Sequence, residues 1–220
     1  MEGRAQGIPR ARRGGRMKLV VLLVSAVAAV AADAPQVIYS KTFTGGTPPY
    51  VRVSLEADGA AAYNETKDPD NSEKVRIELR RTRQIFELAD RLEHFQKPLE
   101  SGLKVAYMGQ TTFRWEQDAE QHEAGFNYST SEDARALAVH FDSIVESVRL
   151  LVEFRRVIKY DRLGANAVVN RAAVLWDNKR LAATAEFLPL FDQVSKNEAF
   201  MHMARDKAAR LADAIRAAGN

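Results

Sequence analysis

The chain contains no cysteine in 220 residues. That excludes disulfides and, for an exported protein, lipid attachment, which needs a cysteine after the cleavage site. Histidine is scarce, and His94, His122, His140 and His202 form neither an HExxH pair nor another recognised metal spacing. No Gly-x-Ser-x-Gly occurs, and Ser101 in Glu100-Ser101-Gly102 is not a nucleophile elbow. Gly45-Gly46 lacks the spacing of a phosphate-binding loop. Internal repeats are missing, and no apolar run beyond the first 32 residues approaches membrane length. These absences remove the readily recognised catalytic classes and leave no evident cofactor.

What is present begins with a leader. Met17-Lys18 opens onto an apolar run from Leu19 to Val30 that ends in small residues. Ala29-Val30-Ala31 has the small-x-small form of a signal-peptide cleavage site, so cleavage is expected after Ala31 or Ala32. The run is shorter than the roughly 20 apolar residues of a membrane span. Residues 1–16 are Arg- and Gly-rich without an apolar period, and translation is expected to start at Met17. The alternative is a long n-region using Arg12-Arg13 as a twin-arginine signal.

The leader also corrects the charge. The whole chain is +3, but six of its 32 Lys and Arg precede Asp33, against one of its 29 acids. The mature part therefore carries 26 basic and 28 acidic side chains, a net of −2. The basic balance belongs to the leader, and with it goes the reason to invoke nucleic acid. A mature chain of about 188 residues can bury an adequate core unaided. The expected location is the periplasm or the exterior, with no membrane span after leader cleavage.

From residue 33 to 130 the pattern is mostly β. Val37, Tyr39, Lys41 and Phe43 alternate with Ile38, Ser40 and Thr42. A turn over residues 44–49 leads to a second strand from Tyr50. Asp58-Gly59 is a strong hairpin signal, and Ala60 to Asn64 is a third strand. A polar loop over Lys67 to Ser72 precedes a short strand, Lys74 to Leu79. Ile85, Phe86, Leu88, Ala89 and Leu92 mark a helix over Thr82 to Phe95. Leu99 to Gly109 reads as loop. Thr111 to Gln117 and Gln121 to Tyr128 form a hairpin around Asp118-Ala119.

Residues 131–220 read as helical. Ser131 with Glu132 and Asp133 starts a long helix to Tyr160, with the stripe Leu137, Phe141, Ile144, Val148, Leu151 and Val152. Gly164 is its expected stop. A second helix spans Asn166 to Lys179. The third starts near Glu186 with Pro189 in its first turn, and its stripe includes Phe187, Leu190, Phe191, Val194, Met201, Ala208, Leu211 and Ile215. A capping-box pattern at Ser195 to Glu198 predicts a break or bend inside it. The expected class is α+β: a mostly antiparallel sheet with one helix, then a helical hairpin or three-helix unit.

Few polar groups suggest chemistry. Glu198, His202 and Asp206 stand four apart on the last predicted helix and so share a face that could hold a metal; a solvated helix face is the competing reading. Glu120 and His122 share one strand face, and His140 sits beside Phe141. Arg149, Arg155, Arg156, Lys159 and Arg162 cluster toward a helix C-terminus, where the dipole explains them without an anion. Asn64-Glu65-Thr66 and Asn127-Tyr128-Ser129 match the glycosylation sequon, but the Ala- and Arg-rich composition looks bacterial. The best surface candidate is the loop holding Gly45, Gly46, Pro48, Pro49 and Tyr50, where prolines and an aromatic can meet a partner or simply form a turn.

Three segments, Pro98 to Ala106, Lys159 to Asn166 and Phe187 to Asp192, resemble an uncharacterised family of secreted bacterial proteins. Separately, the N-terminal half is similar to the emfourin-like metalloprotease inhibitors. The matching pieces are Val37 to Phe43, Gly45-Gly46, Tyr50 to Glu56, Ile85 to Leu92, Phe113-Arg114 and Asp133 to Phe141. The similarity departs at Thr47-Pro48-Pro49 and has no counterpart to the C-terminal helices. It implies inhibitor function by analogy. The sequence as a whole points to an exported non-catalytic protein that binds another protein or an envelope component. The alternative is an envelope hydrolase with an unrecognised site. The exported product is expected to begin at Ala32 or Asp33; N-terminal sequencing that finds Leu19 to Val30 retained would make it an anchored protein instead.

Overall fold

The computed structural model describes residues 34–68 and 70–219. The leader, its cleavage site, the Met17 start and Pro69 lie outside them. The elements run β1 (Gln36–Thr42), β2 (Tyr50–Glu56), β3 (Ala60–Asn64), β4 (Glu73–Arg76), α1 (Leu79–Arg91), β5 (Gln110–Gln117), β6 (Glu120–Phe126), α2 (Glu132–Tyr160), α3 (Ala165–Asp177), α4 (Thr184–Lys196) and α5 (His202–Gly219). The six strands form one antiparallel sheet in the order β4-β3-β2-β1-β5-β6. The fold is α+β, and no described helix is long and apolar enough to cross a membrane.

The alternation of apolar residues fixes which face of the sheet is covered. Val37 and Tyr39, Val53 and Leu55, Ala61 and Tyr63, Phe113 and Trp115, and Ala124 and Phe126 are all buried. Their neighbours on the opposite face, including Ser40, Arg52, Ser54, Thr112 and Arg114, remain partly exposed. Ile38 is the exception, buried between its cross-strand partners Ser54 and Arg114. The β2–β3 turn depends on Gly59, whose φ is +91° and where a Cβ would lie 2.5 Å from the Ile77 carbonyl oxygen. Asp58 completes the turn by accepting the Ala60 N–H at 2.8 Å.

Aromatic side chains join sheet and helices. Tyr39 stacks on Phe141 of α2 with ring centroids 5.1 Å apart and planes within 3°. Its hydroxyl donates to Asp142 at 2.6 Å. Burial first, and then the Asp142 charge, push the Tyr39 hydroxyl pKa well above its ordinary value. Phe86 of α1 meets Trp115 edge-on at 5.8 Å. On α2, buried Ser147 is fully satisfied: its hydroxyl donates to the Arg180 carbonyl and accepts the Ala182 N–H at 2.8 Å. This clamps the α3–α4 connection onto α2.

Several expected boundaries shift for local reasons. Leu79 is the first residue of α1 rather than the end of β4. The helix does not reach Phe95, because Glu93, His94 and Phe95 have φ of 50°, 51° and 65° and make a left-handed turn. Such backbone costs roughly 1–2 kcal/mol per residue. The return is the burial of Phe95 against Phe113 at 5.4 Å and the stacking of His94 on Trp115 at 3.9 Å. Gly164 is not a left-handed stop: α2 ends at Tyr160, and Gly164 is right-handed and precedes α3. Val152 of the expected stripe is exposed.

The C-terminal region has four helices, because the predicted break is a complete one. Ser195 does not cap the next helix; it lies inside α4 and donates back to the Asp192 carbonyl at 3.0 Å. The interruption resets the helical phase, so Phe200 is buried and Met201 is 44% exposed. Helix α4 starts at Thr184, which places Pro189 inside it rather than in its first turn. Phe191 is fully buried between Phe154 at 5.4 Å and Phe187 at 5.7 Å. Phe191→Ala is therefore expected to cost about 3–5 kcal/mol in chemical denaturation; a loss within experimental error would contradict this packing.

Candidate functional site

The strand register brings three loops to one end of the sheet. Thr42 pairs with both Tyr50 and Gln110, and Thr111 pairs with Phe126. The connections following Thr42, preceding Gln110 and following Phe126 therefore leave together.

The first loop is closed on itself. The Phe43 N–H donates to the Pro49 carbonyl at 2.9 Å, and the Gly46 N–H to the Phe43 carbonyl at 2.8 Å. The Phe43 ring lies beneath the glycines, so a Cβ on Gly46 would come within 3.2 Å of it. Of the five expected surface residues, Gly45 and Pro49 are exposed, whereas Gly46, Pro48 and Tyr50 are partly buried. The loop folds down on Phe43 instead of standing open. Val51 and Val53 anchor its second strand as expected, but Phe43 is only partly buried.

The second loop carries the more exposed apolar surface. Leu103, Val105, Tyr107 and Met108 are 57%, 44%, 59% and 66% exposed. Lys104 and Ala106 between them are exposed too. Gly102 and Gly109 bracket the run with φ of +68° and +103°. Gly109 sits against Phe43, where a Cβ would be 3.0 Å from the Phe43 Cβ. The two loops meet there.

The loop is held from within. Asn127 accepts the Met108 N–H at 2.8 Å and donates its amide to the Ala106 carbonyl at 3.1 Å. Glu100 accepts the Asn127 N–H at 2.6 Å and the Ser101 N–H at 2.9 Å. Ser101 in turn donates its N–H to the Tyr128 carbonyl and accepts the Leu103 N–H. Both sequon asparagines thus have structural work. Asn64, nearly buried, donates to the Asp68 and Asn71 carbonyls.

The metal candidates separate. Glu198 lies in the α4–α5 turn, off the helix that carries His202 and Asp206. His202 and Asp206 pair at 2.9 Å on an exposed face. Among the described residues, no group of three or more His, Asp or Glu is placed to hold a metal ion. His122 pairs with Glu120 at 2.8 Å and His94 with Asp90 at 2.9 Å. His140 stands apart on α2, its pKa lowered by burial and then by the Arg81 charge.

A groove of about 1010 Å³ runs between α2, α3 and the β3–β4 edge, and no histidine lines it. Its charges are largely matched: Lys41 with Asp142 at 3.7 Å, Arg149 with Glu65 at 3.1 Å, Arg180 with Glu146 at 2.9 Å, and Arg171 with Glu153. Arg155 of the basic cluster also pairs, with Glu73 and Glu186. These pairings engage two of the five cations of the cluster, Arg149 and Arg155. The chain matches no protein-family model and no curated protein.

The glycines at 102 and 109 and Pro98 mark Leu99 to Gly109 as loop in the sequence, without singling out this surface. The available signal was four large apolar residues between two glycines, with Leu103, Val105 and Tyr107 alternating as in a strand although no strand forms there.

Glu100 makes the loop clamp pH-sensitive. The Asn127 N–H first, then those of Ser101 and Tyr128, hold its carboxyl below the ordinary 4.5. A depressed native pKa contributes stability that is present above the unfolded value and lost as pH falls through the native one. Asp133, lowered by Arg91, and Asp58, lowered by the Ala60 N–H and Arg76, act in the same sense. Urea unfolding across about pH 6 to pH 3 should show declining stability, with a shallower decline in Glu100→Gln. An unchanged slope in that variant would refute the clamp's role.

Proposed function

We propose that this is an exported, non-catalytic protein that binds another protein or an envelope component through the sheet end where the 43–49 and 102–109 loops meet. The observation that carries the reading is the run of six exposed residues from Leu103 to Met108, four of them large and apolar, held by a dedicated hydrogen-bond clamp. Clustered exposed apolar side chains mark interaction sites, and fixing them beforehand lowers the ordering cost of binding. The resemblance to emfourin-like inhibitors points toward a protein partner. The net −2 of the mature part argues against nucleic acid.

The test uses the exported form as bait against an envelope extract. Tyr50→Ala and Leu103→Ser should each weaken partner capture while leaving stability within about 0.5 kcal/mol, as for ordinary surface changes. Capture unaffected by both substitutions would overturn the assignment of this surface. A stability loss of several kcal/mol in Tyr50→Ala would make Tyr50 architecture rather than contact.

A further inference from the structure

We propose that the turn joining α2 to α3 docks on a membrane surface rich in anionic phospholipid. Tyr160 and Leu163 enter the headgroup region, and Arg156, Lys159 and Arg162 pair with its phosphates. This site is separate from the loop surface above and goes beyond the reading built on it.

Every residue from Lys159 to Leu163 is exposed. Leu163 and Tyr160, at 78% and 71%, are the two most exposed large hydrophobic residues among those described. Arg156 and Tyr160 stand four apart on α2 and share a face, and the Lys159 ammonium lies 5.0 Å from the Tyr160 ring centre. Unlike Arg149 and Arg155, the cations Arg156, Lys159 and Arg162 have no acid partner among the described residues. The dipole of α2 accounts for one of the three, because its effect fades beyond the last turn, and that turn holds only Lys159. Arg162 lies between the carbonyl end of α2 and the amide end of α3, whose dipoles oppose each other there.

Free cations beside an exposed aromatic and an exposed leucine match the chemistry of an anionic bilayer surface. The ring sits at headgroup level, the apolar tip reaches the acyl boundary, and the cations meet phosphate. A nucleic acid would match the cations but offer Leu163 no apolar medium. A stable protein interface takes roughly 800 Å² from each partner, more than one turn presents; a fluid headgroup layer has no such requirement. The 103–108 run has apolar side chains but a single cation, Lys104. Shallow entry strands little backbone, since the Asp161 N–H donates to the Val157 carbonyl at 2.8 Å and the Asp161 carboxylate accepts the Gly164 N–H at 3.0 Å. Helix α2 has 29 residues, a length of about 43 Å. Its start follows Tyr128, whose carbonyl is held by Ser101 of the loop clamp. A molecule docked by the turn therefore keeps its loop surface at the far end of α2.

The test is sedimentation of the exported form with vesicles of equimolar phosphatidylglycerol and phosphatidylcholine. It should bind these and not vesicles of phosphatidylcholine alone. Raising salt from about 0.1 M to about 1 M shortens the screening length from about 10 Å to about 3 Å and should release it. Arg156→Gln, Lys159→Gln and Arg162→Gln should each weaken binding about 5-fold, and the triple variant on the order of 100-fold. Glutamine at Arg80, Arg83 and Lys104 together, exposed cations outside the turn, should leave binding nearly unchanged. Leu163→Ser should weaken it, and Tyr160→Trp should retain it. Thermal melts establish that each variant is folded, and every substituted side chain is exposed enough to meet that condition.

No binding at about 1 mM lipid, where a single myristoyl chain is mostly bound, would overturn the proposal. So would equal affinity for the two vesicle types, or a triple variant no weaker than the control lacking Arg80, Arg83 and Lys104. If vesicles are not bound but the triple variant loses a partner from a membrane-free extract, the turn is a protein site and the lipid proposal falls. Tyr50→Ala and Leu103→Ser should leave vesicle binding unchanged; if either abolishes it, the lipid contact lies at the loops and the proposal falls. Loss of vesicle binding by the parent leaves the loop surface to its own capture test.

Discussion

The contact between Tyr39 and helix α2 holds the two halves of the molecule together. Tyr39 sits on β1, near the middle of the sheet, and its ring lies flat on Phe141. Its hydroxyl reaches the next residue of the helix, Asp142, whose other oxygen faces Lys41. One side chain therefore supplies apolar area, ring stacking and a polar anchor to the same helix. Phe113 packs beside both rings, so β5 joins the same cluster. The buried residues of sheet and helices form one continuous core as a result. With α2 fixed, Ser147 can hold the α3–α4 connection, and α4 can bring Phe187 and Phe191 against Phe154.

Much of this was legible in the sequence. Strand alternation around Val37, Tyr39, Val53 and Leu55 gave the covered face, Asp58-Gly59 marked its hairpin, and Ser131 does cap α2 by accepting the Ala134 N–H at 3.2 Å. These signals are local, and each is set by spacing or backbone geometry. The failures come where distant contacts override spacing. Phe95 leaves the helical pattern because Phe113, far along the chain, offers it a buried place. Met201 is displaced by Phe200 because the chain between α4 and α5 abandons the helix, and no stripe survives a change of phase.

The candidate surface was only half legible, for the same reason. The Gly45 to Tyr50 loop carries its turn chemistry in its own residues. The 102–109 loop takes its shape from Asn127, some twenty positions later, and from Glu100 acting through that asparagine. A sequon was the only pattern visible at Asn127. The metal candidates show the converse: Glu198, His202 and Asp206 had the right spacing, but the helix carrying that spacing begins only at His202.

The attachment of the two surface loops has a mechanical consequence. The first leaves the end of β1 and the second enters the start of β5, and these strands are antiparallel neighbours bridged at seven residue pairs. A load applied at the loops runs along both strand axes. Both strands are then drawn the same way, so β1 does not slide past β5, and only a pull that spreads the two loops opens the ladder, beginning at the Thr42–Gln110 pair. Whatever grips both loops together therefore loads β1 and β5 as one unit.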